Sequence, residues 1–125
     1  MATWQEIGQD NFEAARELYI NGRYRSSVSR FYYAAYAALT GEPLKTSFQP
    51  KSDREAPDHA HMPEWIKNYL TRFSPRQRAD MAKLIRQLYE ARIGADYKLR
   101  TTDEKTARDS RRNAVALLQY LEEDK

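Results

Sequence analysis

Cysteine is absent from the 125 residues, which excludes a disulfide framework and any chemistry that needs a thiolate. Nowhere do about 18 apolar residues run together, so no transmembrane span and no membrane partner is expected. The N-terminus lacks a basic segment followed by an apolar one, so no signal peptide is expected. The resulting expectation is a soluble, cytoplasmic protein. Glycine is scarce, at four residues, and no glycine-rich phosphate loop occurs. His-Glu-x-x-His, paired catalytic carboxylates and a nucleophile triad are missing too. Histidine is limited to His59 and His61. Asp58-His59-Ala60-His61 supplies three ligand types, but nothing nearby completes a set, so no metal and no cofactor is expected.

What remains is a basic, tyrosine-rich chain of single-domain length. The net charge is +3 and unevenly spread. Residues 1–20 carry four acids against Arg16, a net of −3, whereas residues 76–112 carry eleven Lys or Arg against six acids, a net of +5. This asymmetry suits a phosphate-bearing partner, although a solvated, salt-bridged helix surface produces the same pattern.

Residues 23–39, RYRSSVSRFYYAAYAAL, read as the central helix. Tyr24, Val28, Phe31/Tyr32, Ala35 and Leu39 recur at spacings of three and four, which places them on one stripe. The alanines and the pair Ser26-Ser27 allow neighbouring helices to approach closely. Ahead of it, Thr3-Trp4-Gln5-Glu6 fits a capping box that opens a first helix. Its inward face is Trp4, Ile7, Asn11, Ala14/Ala15 and Leu18, and Asn21-Gly22 ends it. Gly41 and Pro43 stop the central helix, so the first two helices form an antiparallel hairpin.

Residues 41–61 read as a long loop with three prolines. Met62 to Phe73 is then a short helix with Pro63 near its start and Trp65, Ile66, Tyr69 and Leu70 inward. Ser74-Pro75-Arg76-Gln77 signals the start of a fourth helix, about Pro75 to Tyr97, with Met81, Leu84/Ile85, Leu88, Arg92 and Ala95 inward. Thr101-x-x-Glu104 opens the last, with Ala107, Ala114, Leu117/Leu118 and Leu121 inward. There is no convincing strand pattern and no internal repeat. The expected fold is all-α: an antiparallel up-and-down bundle of four long helices and one short one, one domain over residues 1–125.

Arg92 is the anomaly, because it falls on an apolar stripe. A guanidinium stays charged and is rarely buried without a partner. Asp96, one turn later, is the local candidate. The pair either locks the fourth helix to a neighbour or a dimer mate, or leaves the planar fork for a phosphate; the two roles are compatible. Tyr97 reads as a core or interface tyrosine, or as a reactive hydroxyl. Tyr32, Tyr33 and Tyr36 suit core packing by their spacing, and base stacking by their chemistry, with Arg23, Arg25 and Arg30 around them. Arg108, Arg111 and Arg112 form a second basic patch, most simply a solvated face.

Residues 23–39 are similar to the second helix of HEPN domains, the small helical domains named for higher eukaryotes and prokaryotes nucleotide-binding. Arg92-Ile93-Gly94-Ala95-Asp96-Tyr97 resembles the Arg-x-x-x-Asp-Tyr segment of one prokaryotic branch, as does a histidine, here His59 or His61, ahead of Met62-Pro63-Glu64-Trp65. The resemblance runs over about residues 5–121. It implies a homodimer in which late helices meet across a two-fold axis. Many members are metal-independent ribonucleases in which an Arg precedes a His by four to six residues. Others are non-catalytic partners of small nucleotidyltransferases, often in toxin–antitoxin or defence systems.

This chain departs from the nuclease motif. Arg92 matches its arginine, but Tyr97 stands five residues on, and no His follows Arg92. Histidine suits proton handling near neutral pH, whereas tyrosine, with a pKa of about 10, is a poor base there. The leading expectation is therefore an RNA- or nucleotide-binding protein, or the partner of a nucleotidyltransferase or antitoxin, with little catalysis of its own. Its binding residues would be Arg92, Asp96, Tyr33, Arg23 and Arg30. The alternative is a metal-independent endoribonuclease toxin in which Arg92 stabilises the phosphorane and His59, His61 or Tyr97 moves protons. A loop histidine can do so only if the loop folds over the fourth helix. A third reading is a helical subunit whose partner is protein alone.

Overall fold

The computed structural model describes residues 2–42, 59–97 and 102–122. Five α-helices account for most of them: α1 (Trp4–Ile20), α2 (Tyr24–Thr40), α3 (Met62–Tyr69), α4 (Pro75–Tyr97) and α5 (Glu104–Glu122). A 3-10 turn, His59–His61, leads directly into α3. No strand occurs among the described residues, and the fold class is all-α.

The helix ends follow their local chemistry. The Thr3 hydroxyl accepts from the Glu6 N–H and caps α1. At its other end Gly22 has φ +76°, the left-handed conformation that glycine adopts without a Cβ penalty. The Arg23 N–H then bonds to Leu18 O and the Gly22 N–H to Tyr19 O, the two crossing bonds of a Schellman turn. Ser74 and Gln77 form a reciprocal capping box at the start of α4, each side-chain oxygen accepting from the other residue's N–H.

Three boundaries differ from expectation. The short helix ends at Tyr69 rather than Phe73, because the chain turns at Leu70 (φ −85°, ψ 61°) to reach the Ser74 cap. Arg78 reinforces that turn by donating from Nη1 to Lys67 O at 2.6 Å. The expected loop gives way by His59 to a 3-10 turn, and its residues 43–58 lie outside the described residues. At α5 the cap is Asp103, whose Oδ1 accepts from the Thr106 N–H at 2.9 Å. Thr101, expected in that role, lies outside the described residues.

The central stretch does organise the chain. Val28, Phe31, Tyr32, Ala34, Ala35 and Leu39 of α2 are fully buried. The main core joins Phe31, Tyr32, Ala35 and Leu39 to Met62, Trp65, Ile66 and Leu70 of the α3 region, Met81, Ile85 and Leu88 of α4, and Ala114, Leu117 and Leu121 of α5, while Val28 packs with Ala95 and Ala107 in a second cluster. α1 and α2 run antiparallel: Gln5 Nε2 donates to Gly41 O at 2.6 Å, Arg30 Nη1 to Asn11 Oδ1 at 3.0 Å, and the buried Ser27 hydroxyl to Ala15 O at 3.0 Å. Ser27 therefore serves close packing as expected, while Ser26 is exposed. Gly8, absent from the expected inward face of α1, is buried against the backbone of Ala34 and Ala38. α4 also runs antiparallel to α2, with Tyr89 and Arg92 facing Tyr32 and Asp96 facing Ser29. No helix among the described residues is long and apolar enough to cross a membrane.

Candidate functional site

The stripe that buries α4 carries Arg92 into the tyrosine-rich part of α2. Arg92 is 8% exposed, and its guanidinium carbon lies 5.5, 5.0 and 5.5 Å from the ring centroids of Tyr32, Tyr33 and Tyr97. These distances suit cation–π attraction, which strengthens where water is excluded. Asp96, the expected i+4 partner, is present: its Oδ2 lies 3.5 Å from Arg92 Nε and also accepts from the Ser29 hydroxyl at 3.0 Å. The pair thus locks α4 to α2.

The ion pair does not satisfy the guanidinium. Arg92 Nε is buried and makes no hydrogen bond, because the approach to Asp96 is long. The hydrogen bond that Arg92 does make runs from Nη2 to the Tyr97 hydroxyl at 3.3 Å. A guanidinium carries five N–H donors, so this one keeps unused donor capacity beside aromatic faces. Tyr97 is 68% exposed and sits at the rim.

His59 enters the same cluster from the other side. Its Nδ1 lies 2.5 Å from the Tyr32 hydroxyl, and its ring packs 4.2 Å from that of Tyr36 and 5.8 Å, edge on, from that of Tyr33. Tyr32 and Tyr33 are therefore shared between the guanidinium and the imidazole. The 3-10 turn that precedes α3 delivers His59 to α2, whereas the condition for a loop histidine is that the loop fold over the fourth helix. Burial pushes the Tyr32 phenol's pKa well up from the ordinary tyrosine value, with the neighbouring Tyr36 adding to it, while Arg92 opposes. The phenol is consequently neutral and keeps its proton.

The remaining candidates fall elsewhere. His61 is exposed, at the N-cap position of α3, and its side chain makes no capping hydrogen bond there. Arg23 and Arg30 line an open depression with Ala14, Glu17, Leu18 and Asn21 on the α1–α2 hairpin, and they do not join the Arg92 cluster. Their place on α2 follows helical pitch: Arg30 turns toward Asn11 of α1, whereas Tyr33 turns toward α4. The α5 arginines are mostly engaged, Arg108 with Glu104, Arg112 with Asp109, and Arg111 over the Tyr19 ring. Among the described residues no three His, Cys, Asp or Glu side chains are grouped to hold a metal ion.

Two neighbours of the site escaped the sequence. Ser29 supplies the hydrogen bond that orients Asp96, and Tyr89 packs on Tyr32 at 5.7 Å. Helical spacing carries the signal for both: Ser29 precedes Tyr33 by one turn, and Tyr89 precedes Arg92 by one turn.

What the cluster offers chemically is a positive fork on aromatic faces, an exposed hydroxyl and an imidazole held by a buried phenol. Such a set favours an anion with a planar attachment over a cation. No curated protein and no solved structure matches the chain. The family model of the HEPN domain matches residues 1–124, nearly its whole length, and the chain belongs to the HEPN domain family.

Proposed function

We propose that this protein binds the phosphate of an RNA or nucleotide at the Arg92 cluster, with little or no catalysis of its own, in a toxin–antitoxin or defence setting. Membership of the HEPN family supports an RNA- or nucleotide-related role. The observation that carries the proposal is Arg92 itself: a nearly buried guanidinium on three tyrosine rings, with its Nε unbonded and one hydrogen bond in use. A guanidinium placed only to hold two helices would be expected to have its buried donors satisfied. Tyr33, half-buried beside it, provides a face on which a base can stack, and Asp96 fixes the fork. A homodimer would bring two such clusters into one assembly, and a nucleotidyltransferase or antitoxin is the protein partner that the reading implies.

A second reading, a metal-independent endoribonuclease, draws on one observation: His59 packs on the same two tyrosines as Arg92. In that reading His59 takes the place of the missing motif histidine.

One experiment separates them. A mixed single-stranded RNA pool is incubated with folded wild-type protein, Arg92→Lys and His59→Ala in EDTA, and both retention and cleavage are followed. Retention without cleavage, lost in Arg92→Lys, is the expected result. Cleavage that both variants lose would replace the binding reading with the nuclease. Neither retention nor cleavage would leave a protein-only interaction subunit.

A further inference from the structure

The structure assigns a second binding site to the groove between α4 and α5, where Glu90, Asp109 and the Ser110 hydroxyl form an acceptor set for a small organic ammonium ion. The site is separate from the Arg92 cluster, and the inference does not rest on that cluster binding phosphate.

The pitch of α4 prepares the groove. Leu88, Arg92 and Ala95 turn inward, while Gln87, Glu90 and Ala91 face α5. There they meet Thr106, Asp109, Ser110 and Asn113 across a depression of about 330 Å³. Ser110 is the anomaly. It is 2% exposed and makes no hydrogen bond among the described residues. The other buried serine, Ser27, donates its hydroxyl to Ala15 O and is satisfied. A buried hydroxyl without a partner carries the desolvation cost of the group. Ser110 borders the groove, so a partner for it has to come from that side.

A census of donors and acceptors gives the class of ligand. Glu90 is exposed and forms no ion pair among the described residues, although Arg86 stands four positions earlier. Asp109 accepts from Lys105 Nζ at 3.1 Å and from Arg112 Nη2 at 2.9 Å. The hydrogen bond from Lys105 holds its carboxyl below the ordinary pKa, aided by the charges of Lys105 and Arg112 against slight desolvation, so the group is ionised and accepts only. Those two cations offset Asp109 and leave Glu90 as the uncompensated charge. The Thr106 hydroxyl already donates to Asp103 Oδ1 at 2.8 Å, so toward the groove it too can only accept.

The set is therefore rich in acceptors and carries a free negative charge. A phosphate or carboxylate would meet Glu90 and Asp109 as like charges. A metal ion would lack ligands, because no three His, Cys, Asp or Glu side chains are grouped among the described residues. An ammonium brings three donors that diverge from one centre, which suits acceptors on two helices. A guanidinium is a flat fork that suits a single carboxylate. Gln87 and Asn113 can turn either end of their amides to the rest of the ligand.

The test is a titration of 15N-labelled protein with putrescine, followed by amide chemical shifts. Signals of residues 87–91 and 106–113 should move and saturate in the millimolar range. Glu90→Gln should weaken binding about tenfold and Ser110→Ala about threefold, as a charged and a neutral hydrogen bond imply. Both substitutions are mild, and Ser110→Ala places a better helix former in α5. Asp10→Asn, at an exposed acid of α1, should leave binding unchanged. Tetramethylammonium has the same type of charge and no N–H group, and it should bind about tenfold more weakly than putrescine. Equal response to tetramethylammonium, or indifference to Glu90→Gln, would overturn the site and leave counter-ion attraction only. Absence of saturable shifts in this groove would overturn it as well. RNA retention at Arg92 is read in a separate experiment and can fail or succeed whatever the titration shows.

Discussion

The guanidinium of Arg92 lies 5.0 Å from the centroid of the Tyr33 ring, so the charge of α4 rests on an aromatic face of α2. Arg92→Lys keeps the charge but loses the planar fork and its stacking. RNA retention should fall about tenfold or more in this variant. The remaining binding should weaken steeply as salt rises, because phosphate contacts release counterions. Filter binding at two salt concentrations, with circular dichroism to establish that the variant is folded, checks this. Equal retention by both proteins would remove Arg92 from the site.

Tyr32 predicts an alkaline limit. Its phenol resists ionisation in the folded chain, because burial raises its pKa above the ordinary 10.0. In the unfolded chain it ionises near that ordinary value. The stability it contributes is therefore complete below about pH 10, where both states are protonated, and is lost as pH rises beyond. The loss should approach about 1.4 kcal/mol per pH unit, the value for one differential proton. Urea midpoints at about pH 9, 10 and 11 for wild type and Tyr32→Phe isolate this share from the other tyrosines and lysines. Parallel curves would contradict it.

Much of this architecture was legible from periodicity and caps. The α4 range follows from Ser74-Pro75-x-Gln77 at one end and the apolar stripe running to Ala95. The placement of Arg92 inside that stripe was readable too, because helical pitch alone puts it in line with Leu88. The turn at Leu70 was not, since Leu70 and Phe73 both have the apolar character of a continuing helix and both are buried after the chain has turned. The meeting of His59 with Tyr32 was also beyond reach. It joins residues 27 positions apart across a segment without periodicity, and only tertiary packing brings them together.

Arg72 clamps three parts of the fold. It donates from Nε and Nη2 to Glu42 Oε1 at 2.9 and 2.6 Å, from Nη2 to Leu121 O at 2.9 Å, and its guanidinium carbon lies 3.9 Å from the Phe73 ring centroid. The Glu42 side chain is only 7% exposed. Arg72→Ala would leave that carboxylate with its charge uncompensated. The cost should be about 2–3 kcal/mol, below the range for a fully buried pair because Arg72 is partly exposed. Because Glu42→Gln removes the charge to be compensated, the double variant should recover part of the loss. A double-mutant cycle by chemical denaturation measures both, and strictly additive losses would show that the pair is not coupled.

Gly8 offers a prediction whose sign is at stake. It lies inside α1, where alanine is favoured over glycine by about 1 kcal/mol on helix propensity alone. A Cβ at this position would stand 3.2 Å from Ala34 O and 3.3 Å from Ala38 N. Both atoms belong to the backbone of α2, so neither can swing aside as a side chain would. To accept the methyl group, α1 and α2 must separate, and Gln5–Gly41, Asn11–Arg30 and Ala15–Ser27 are hydrogen bonds that hold them together. Overpacking of this kind costs about 1–3 kcal/mol, which exceeds the propensity gain over most of its range. Gly8→Ala should therefore lower stability by about 1 kcal/mol net, read as a lower denaturant midpoint at unchanged slope. A raised midpoint would mean that the hairpin yields easily and that propensity, rather than helix contact, governs this position.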